Sequence, residues 1–144
     1  MYLLGHGRHG RHDVNEPDRR RISFDPSCDV SIFGIQNQIE RVIANIVANA
    51  LQAMGEHGRI SITTKSLPTN FVNITITNTG SSIPDEDLVN IFHPFFTKGK
   101  ADGTGLGLAI CRRIVTDHNG TIEATSSLSD GTSFHISLPQ FDTV

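Results

Sequence analysis

The sequence contains few cysteines, and this shortage argues against a fold held by cross-links or by zinc. Only two occur among 144 residues, Cys28 and Cys111, and neither belongs to a CxxC pair or lies near a group of histidines. A disulfide framework or a structural zinc site needs more ligands at closer spacing. We therefore expect both cysteines to be small buried side chains.

Long apolar runs and a surplus of basic residues are also missing. No apolar segment approaches the ~20 residues that cross a bilayer, and the apolar part of the start, MYLLGHGRHGRH, is too short for a secretory signal. The formal net charge is -3, whereas binding to a phosphate backbone needs a basic surplus. These absences predict a soluble, intracellular protein that does not bind nucleic acid.

The length and the first residues indicate a single domain preceded by an arm. A chain of 144 residues suits one domain of ordinary size. Residues 1–20 contain three histidines, three glycines and four arginines without a periodic apolar pattern, which is typical of a flexible arm, a linker or a cloning remnant. We predict that the domain itself covers residues 21–144.

Hydrophobic periodicity predicts an α/β fold. Apolar residues between Gln36 and Met54 recur at steps of three and four, which indicates an amphipathic helix that Gly55 is placed to end. A short helix is expected after Asp85, and a third runs to about His118. Segments rich in Ile, Val, Thr and Phe predict strands at 22–24, 30–33 (beyond a turn at Pro26), 59–65, 71–77, 121–125 and 133–138. The predicted fold class is an α/β two-layer sandwich, a mixed β-sheet with about three helices on one face.

Two asparagines lie on the polar edge of the long helix. Asn45 and Asn49 are four residues apart, so they share one side of the helix, and Gln38, Arg41 and Gln52 continue that edge. Taken alone, the pair also fits two solvated or hydrogen-bonded asparagines.

Two glycine-containing segments follow apolar elements. NTGSSIP at 78–84 comes directly after a strand, where a polar side chain can reach a ligand and Gly80 allows close approach of the backbone, although a surface turn would look similar. GTGLGL at 103–108 opens a helix, where free backbone N–H groups favour phosphate. Its spacing is not that of the dinucleotide fingerprint, and no GxxxxGK[ST] P-loop is present.

Taken together and in this order, the motifs resemble the catalytic domain of sensor histidine kinases, a branch of the superfamily shared with gyrase, MutL and heat-shock chaperone ATPases. IANIVANALQAM is similar to the N box of that family, NTGSSIP to its first glycine box, IFHPFF to its F box and GTGLGLAI to its second glycine box. The closing segment DHNGTIEATSSLSDGTSFHISLP extends the resemblance over about residues 21–139. NALQAM and PFFTKGK look most like the nitrogen-regulation type. The implied fold is the Bergerat-type ATP-binding fold.

The resemblance implies ATP and Mg²⁺ as cofactors. Asn49 would coordinate the Mg²⁺ that bridges the nucleotide phosphates, and Asn45 would assist through water or a phosphate contact, so these two are the implied catalytic residues. Asn78 stands where the family usually has an aspartate that accepts from the amino group of adenine; an amide keeps the acceptor but loses the charge. Ser82 stands where a glycine is more usual.

The resemblance implies further nucleotide-binding residues in three other parts of the sequence. Gly80 and Ser82 would shape the adenine pocket, and Thr132 would hold a water against the base. Residues 92–104 would form a mobile lid over ATP, with either Lys98 or Lys100 reaching the phosphates. The implied cofactor-binding residues besides Asn45, Asn49 and Asn78 are Gln52, Gly80, Ser82, Ile83, Phe92, Phe96, Lys98, Lys100, Gly103, Thr104, Gly105, Leu106, Gly107, Leu108 and Thr132. Several of the apolar ones are expected to pack in the core as well.

The implied function is transfer of the γ-phosphate of ATP to a histidine on a dimerisation domain that is absent from this sequence, and from there to a response regulator. HDVNEP at 12–17 fits the loose form of the phosphoacceptor box. No long helical hairpin follows it, however, so His12 is not expected to be the acceptor. The domain is expected to be cytoplasmic, to make no membrane contact, and to be monomeric alone but dimeric in the full-length kinase.

Two other functions stay open from the residues. An ATPase of the same superfamily would carry a glutamate as general base one helical turn before the magnesium asparagine, and here that position is Asn45, whose amide cannot accept a proton from water. A degenerate regulatory module that has lost nucleotide binding would be compatible with Asn78 and Ser82. Nucleotide binding with and without Mg²⁺ separates these alternatives.

Overall fold

The structure is a computed structural model that describes residues 2–4, 22–26, 30–32, 36–54, 57–94 and 107–140. Its seven described strands are β1 (Tyr2–Leu4), β2 (Ile22–Pro26), β3 (Val30–Ile32), β4 (Ile60–Ser66), β5 (Phe71–Asn78), β6 (Thr121–Ser127) and β7 (Gly131–Pro139). Three described helices, α1 (Gln36–Met54), α2 (Asp85–Leu88) and α3 (Gly107–Asp117), accompany them. None of the helices in these ranges is long and apolar enough to cross a membrane.

Five strands form one mixed sheet in the order β2-β4-β5-β7-β6. The β2–β4 pair is parallel, whereas β4–β5, β5–β7 and β6–β7 are antiparallel. A parallel pair needs a long crossover connection, and α1 lies in the connection between β2 and β4. The predicted mixed sheet with helices on one face is therefore confirmed.

The core lies between the sheet and the helices. Alternate residues of β5 and β7 are buried, as expected for strands that present one face to a helical layer. The apolar stripe predicted for α1 meets this face. The buried apolar side chains of the described residues include Ile39, Val42, Ile46, Val47, Ala50 and Met54 from α1 and Ile74, Ile76, Val115, Phe134, Ile136 and Leu138 from the elements beneath and beside it.

The first strands pair differently from a simple hairpin. The strands predicted on either side of Pro26 both form, but β2 joins the edge of the large sheet, whereas β3 pairs antiparallel with β1. Strand β1 falls inside the arm predicted at residues 1–20, where its three residues gave no periodic signal. The rest of that arm, including His12, lies outside the described residues.

Two residues with a left-handed backbone conformation mark the boundaries of elements. Gly131, the first residue of β7 after the turn from β6, has φ of +80°, a conformation that a residue with a side chain rarely adopts. Asn119 ends α3 in the same left-handed region, with φ of 61°. Both turns set the register of the strands that follow, and β7 carries residues of the candidate site.

Candidate functional site

The apolar inner faces of the two central strands end on a pair of polar side chains. Going along β5 the inward residues are apolar until Asn78, and on the antiparallel neighbour β7 the corresponding end is Thr132. These two residues are direct cross-strand partners. Asn78 is 3% and Thr132 2% exposed. A buried amide and hydroxyl at the rim of an apolar face are the kind of groups that orient a ligand in an adjoining crevice.

Asn78 is held by the loop that follows it. Its Nδ2 donates to Ser81 Oγ at 2.8 Å and lies 3.5 Å from the carbonyl oxygen of Thr79. The turn is made by Gly80, whose φ is +84°. A Cβ on Gly80 would approach the Cα of Gly58 to 3.1 Å, so this loop lies directly against the segment that follows α1. The predicted role of Gly80 in allowing a close backbone approach is consistent with this packing.

Thr132 is held by a residue that the sequence analysis missed. Ser126 lies opposite Thr132 in the register of β6 and β7, and their hydroxyl oxygens are 2.9 Å apart. The same Ser126 Oγ accepts the backbone N–H of Ile83 at 2.8 Å. Ser126 thus links β6, β7 and the loop after β5. Nothing in its local sequence, TSS at the end of a strand, distinguishes it; its position opposite Thr132 follows only from the register.

The polar edge of α1 meets the beginning of α3. Asn45 is half-buried, and its Nδ2 donates to the carbonyl oxygen of Gly107 at 3.5 Å. Asn49 is half-buried one turn further along the same edge. Asn45 therefore lies beside the first residue of the helix that the second glycine motif opens.

Asn45 also contacts a buried thiol. Burial raises the pKa of Cys111 from its ordinary value of 9.0 to about 11, and a side-chain hydrogen bond with Asn45 and the charge of Arg41 partly oppose this rise. The Cys111 thiol donates to the carbonyl oxygen of Val42 at 3.6 Å. The predicted burial of this cysteine is confirmed, and the thiol is protonated and unreactive at neutral pH. Cys28 lies outside the described residues.

Three apolar residues predicted at the site also belong to the core. Phe92 meets the buried Phe134 edge to face, with ring centroids 6.2 Å apart and planes at 86°. Ile83 and Leu108 pack against the same hydrophobic cluster. Their contacts fix the loop after β5 and the start of α3 onto the sheet.

Comparison with known proteins identifies the family. The profile of the family described as "Histidine kinase-, DNA gyrase B-, and HSP90-like ATPase" matches residues 34–142. The chain belongs to this family. It is 42% identical over 72% of its length to the sensor histidine kinase ZraS of Escherichia coli (strain K12), and 35% identical over 85% to the sensor protein FixL of Bradyrhizobium diazoefficiens. It spans 22% and 24% of those proteins.

Solved structures agree with the assignment. The catalytic domain of the histidine kinase ThkA superposes with a TM-score of 0.74 at 37% identity, covering 83% of this chain and 78% of that one. A mycobacterial sensor histidine kinase, MprB, gives 0.76 at 26% identity, covering 88% and 90%. The chain is thus an ATP-binding catalytic domain of a two-component sensor histidine kinase.

The remaining nucleotide-site residues predicted for this kinase domain are found in different surroundings or lie outside the described residues. Gln52 and Ser82 are exposed. A Cβ on Gly107 would meet no atom of the described residues within 4 Å. The other predicted residues, Phe96, Lys98, Lys100, Gly103, Thr104, Gly105 and Leu106, lie outside the described residues.

The donor set of the kinase domain suits magnesium held mainly by its nucleotide. Among the described residues, no group of three or more His, Cys, Asp or Glu side chains could hold a metal ion by itself. Asn45 and Asn49 supply only amide oxygens. Mg²⁺ prefers oxygen ligands, keeps several waters and is commonly bound through one or two protein groups plus substrate phosphates. The asparagine edge therefore fits Mg²⁺ that arrives with ATP.

Proposed function

We propose that this domain binds Mg-ATP between the sheet and the helices and delivers the γ-phosphoryl group to a histidine on a dimerisation domain, from which a response regulator takes it. The observation that carries the proposal is the buried pair of Asn78 and Thr132, which ends an otherwise apolar sheet face. An apolar surface with convergent polar groups at its rim suits a planar base whose polar edge points at them.

Asn78 would recognise adenine by its exocyclic amino group. The Nδ2 side of the amide is engaged with Ser81 and Thr79, which leaves the carbonyl oxygen Oδ1 as the acceptor for an amino donor. Thr132 would hold a water against the base, and its hydroxyl is set by Ser126. The neutral amide replaces the carboxylate usual in the family, so recognition relies on hydrogen bonding without a charge.

Asn49 would supply the amide oxygen that coordinates Mg²⁺, with Asn45 assisting beside it. When bound, the ion neutralises the phosphate oxygens and stabilises the charge that develops as the γ-phosphoryl group leaves. The start of α3 suits the phosphates, because free N–H groups at a helix N-terminus attract anions, and a Cβ on Gly107 would meet no described residue within 4 Å. Gly103, Thr104, Gly105, Leu106 and one of Lys98 and Lys100 would complete this phosphate site.

The contact of Asn45 favours phosphotransfer over ATP hydrolysis. Its amide donates a hydrogen bond to the Gly107 carbonyl, a bond that an ionised glutamate could not donate. An amide also cannot serve as the general base that activates water. Catalysis would then rest on positioning the nucleotide and on electrostatics, with the nucleophile supplied by the partner domain.

The partners are proposed from relatives. The histidine kinase ThkA has been solved in complex with the response regulator protein TrrA, and that kinase superposes on this chain with a TM-score of 0.67 at 33% identity. NALQAM and PFFTKGK support a kinase of the nitrogen-regulation type. We place the domain at residues 21–144 and in the cytoplasm, as a monomer alone and a dimer in the full-length kinase; β2, which pairs with the sheet from Ile22 onward, supports that boundary.

Calorimetric titration with ATP, with and without Mg²⁺, tests the binding step. The expected result is a dissociation constant between micromolar and millimolar that weakens when Mg²⁺ is removed by a chelator. Absence of binding heat at millimolar Mg-ATP would overturn the proposal and favour a module without nucleotide.

A further inference from the structure

We infer that Ser126 is a positioning residue for the base of the nucleotide, because its hydroxyl anchors the far end of the loop that follows Asn78. The inference deepens the proposed function and rests on the base lying beside Asn78 and Thr132. These three residues form one row across neighbouring strands, since Thr132 of β7 is the cross-strand partner of Asn78 in β5 and of Ser126 in β6. The polar rim proposed to hold the base therefore extends to β6.

The loop after β5 crosses the end of β7. At its beginning it lies against Gly131, where a Cβ would collide with the carbonyl oxygen of Asn78. At its end the backbone N–H of Ile83 donates to Ser126 Oγ at 2.8 Å. Because the sheet order is β5-β7-β6, a loop that leaves β5 and reaches β6 passes the strand that carries Thr132. The loop therefore lies next to the polar pair proposed to bind the base.

Hydrogen bonds fasten this loop at both ends. At the beginning, Thr79 N–H donates to the Arg59 carbonyl oxygen at 2.9 Å, and Arg59 N–H donates to Thr79 Oγ1 at 3.0 Å. At the far end Ser126 Oγ is the acceptor, because the backbone N–H of Ile83 can only donate. The direction of this bond is fixed, whichever hydroxyl donates in the 2.9 Å contact between Ser126 and Thr132. Without the Ser126 oxygen, the far end of the loop loses this attachment to β6.

The anchored loop should affect the base more than the phosphates. Ile83 packs against the hydrophobic cluster under the loop, so a shift of this residue changes the wall of the proposed base pocket. The phosphates and Mg²⁺ are proposed to bind elsewhere, at the start of α3 and at Asn49 of α1. Loss of the anchor should therefore weaken the contacts with adenine and leave the triphosphate site unchanged. Ser126 would act through the loop and through Thr132.

Competition against a fluorescent ATP analogue tests this by giving the affinities of adenosine, Mg-ATP and inorganic Mg-triphosphate. Compared with the wild-type chain, Ser126→Ala should bind adenosine and Mg-ATP about three- to tenfold more weakly, and Mg-triphosphate equally well. Ser133→Ala is the matched control, because it removes a serine hydroxyl that lies 2.9 Å from Thr77 Oγ1 on the opposite face of the sheet. It should leave all three affinities unchanged.

Two further variants keep the test decisive if the alanine variant folds poorly. Ser126→Thr retains a hydroxyl acceptor and should bind adenosine as the wild type does, whereas Ser126→Cys offers only a weakly accepting sulfur and should bind it more weakly. Unchanged adenosine affinity in Ser126→Ala and Ser126→Cys, equal weakening of adenosine and Mg-triphosphate, or an equal loss in the threonine and cysteine variants would overturn the inference. Failure of the wild-type chain to bind Mg-ATP would instead overturn the proposed function, so the two failures are distinguishable.

Discussion

Single residues at the rim of the sheet carry most of the chemistry proposed for this domain. Asn78, Thr132 and Ser126 are polar groups in or beside an apolar layer, and the bonds described for them join three strands and one loop. Burying such groups without partners costs free energy, so their hydrogen bonds are needed for the fold as well as for a ligand. Asn49 differs, because it is half-buried on the edge of the helix, and its proposed partner is the metal ion that accompanies the ligand.

Changing Asn49 to alanine should weaken Mg-ATP by about 1–3 kcal/mol, the usual cost of losing one buried polar partner. The loss should shrink when titrations are repeated without Mg²⁺, because the amide oxygen is proposed to act through the ion. Calorimetry measures both. Asn37→Ala provides the matched control, since Asn37 is exposed near the start of the same helix and should bind as the wild type. Unchanged affinity in Asn49→Ala would show that the metal is held elsewhere.

The buried thiol of Cys111 predicts a loss of stability in alkali. Its pKa is raised from 9.0 to about 11 by burial, so the folded state resists forming the thiolate that the unfolded chain forms freely. The stabilisation is therefore complete below pH 9 and is lost as the pH rises toward 11, by about 2–3 kcal/mol at most. Denaturant unfolding across this range, compared with Cys111→Ala, measures the difference. Equal pH dependence in the two proteins would contradict the assigned pKa.

At the scale of elements, the close contact between the end of α1 and the loop after β5 depends on two glycines. Gly58 is buried, and a Cβ there would lie 2.6 Å from Met54 Cβ and 2.5 Å from the Thr79 carbonyl oxygen. The sequence analysis singled out Gly80 but missed Gly58, because a lone glycine after a helix resembles any connecting turn. The contact between them aligns the asparagine helix with the loop that carries Asn78.

Gly58→Ala should therefore destabilise the domain by about 1–3 kcal/mol through overpacking. Gly107→Ala is the comparison: its Cβ would meet no atom of the described residues within 4 Å, and alanine is the better helix former. Its melting temperature should equal or exceed that of the wild type, although its nucleotide binding should be weaker if the phosphates lie there. Thermal unfolding of both variants measures these changes in stability. Equal melting temperatures for Gly58→Ala and the wild type would contradict the packing described for Gly58.

The elements themselves could largely be predicted, because they follow from local patterns. The apolar steps of α1 and the alternation in β5 and β7 predict their type and nearly their bounds. Pairing over long distance could not be predicted in the same way. That β2 joins β4 in parallel, and that β3 pairs with Tyr2–Leu4, depends on crossovers that short apolar segments do not encode.

Candidate site residues that belong to a sequence motif could be predicted, whereas those that depend on the alignment of the strands could not. Asn45, Asn49 and Asn78 could be singled out by their spacing and by the resemblance of their motifs. The contacts of Ser126 with Thr132 and of Ser81 with Asn78 could not be predicted, since they depend on strand register and on the conformation of the loop after β5. Such supporting residues look like ordinary serines until the strands are aligned.

For the whole molecule, the proposed nucleotide site lies between the sheet and the helices, and the phosphoryl acceptor is proposed to be a histidine of a separate dimerisation domain. Phosphoryl transfer depends on alignment of the attacking atom with the γ-phosphate. Occasional encounters with a poorly positioned histidine should leave only traces of label. The chain is therefore expected to bind ATP, to hydrolyse it slowly, and to need a second domain for efficient transfer.

Incubation with ATP labelled at the γ-phosphate tests this account most directly, once with the chain alone and once with a matched dimerisation domain added in trans. We predict little labelling and slow turnover of ATP by the chain alone, and acid-labile label on the histidine of the added domain when both are present. Asn49→Ala should suppress that transfer. Strong acid-labile labelling of the chain alone that disappears in His12→Ala would contradict the account, because the chain would then carry its own working acceptor.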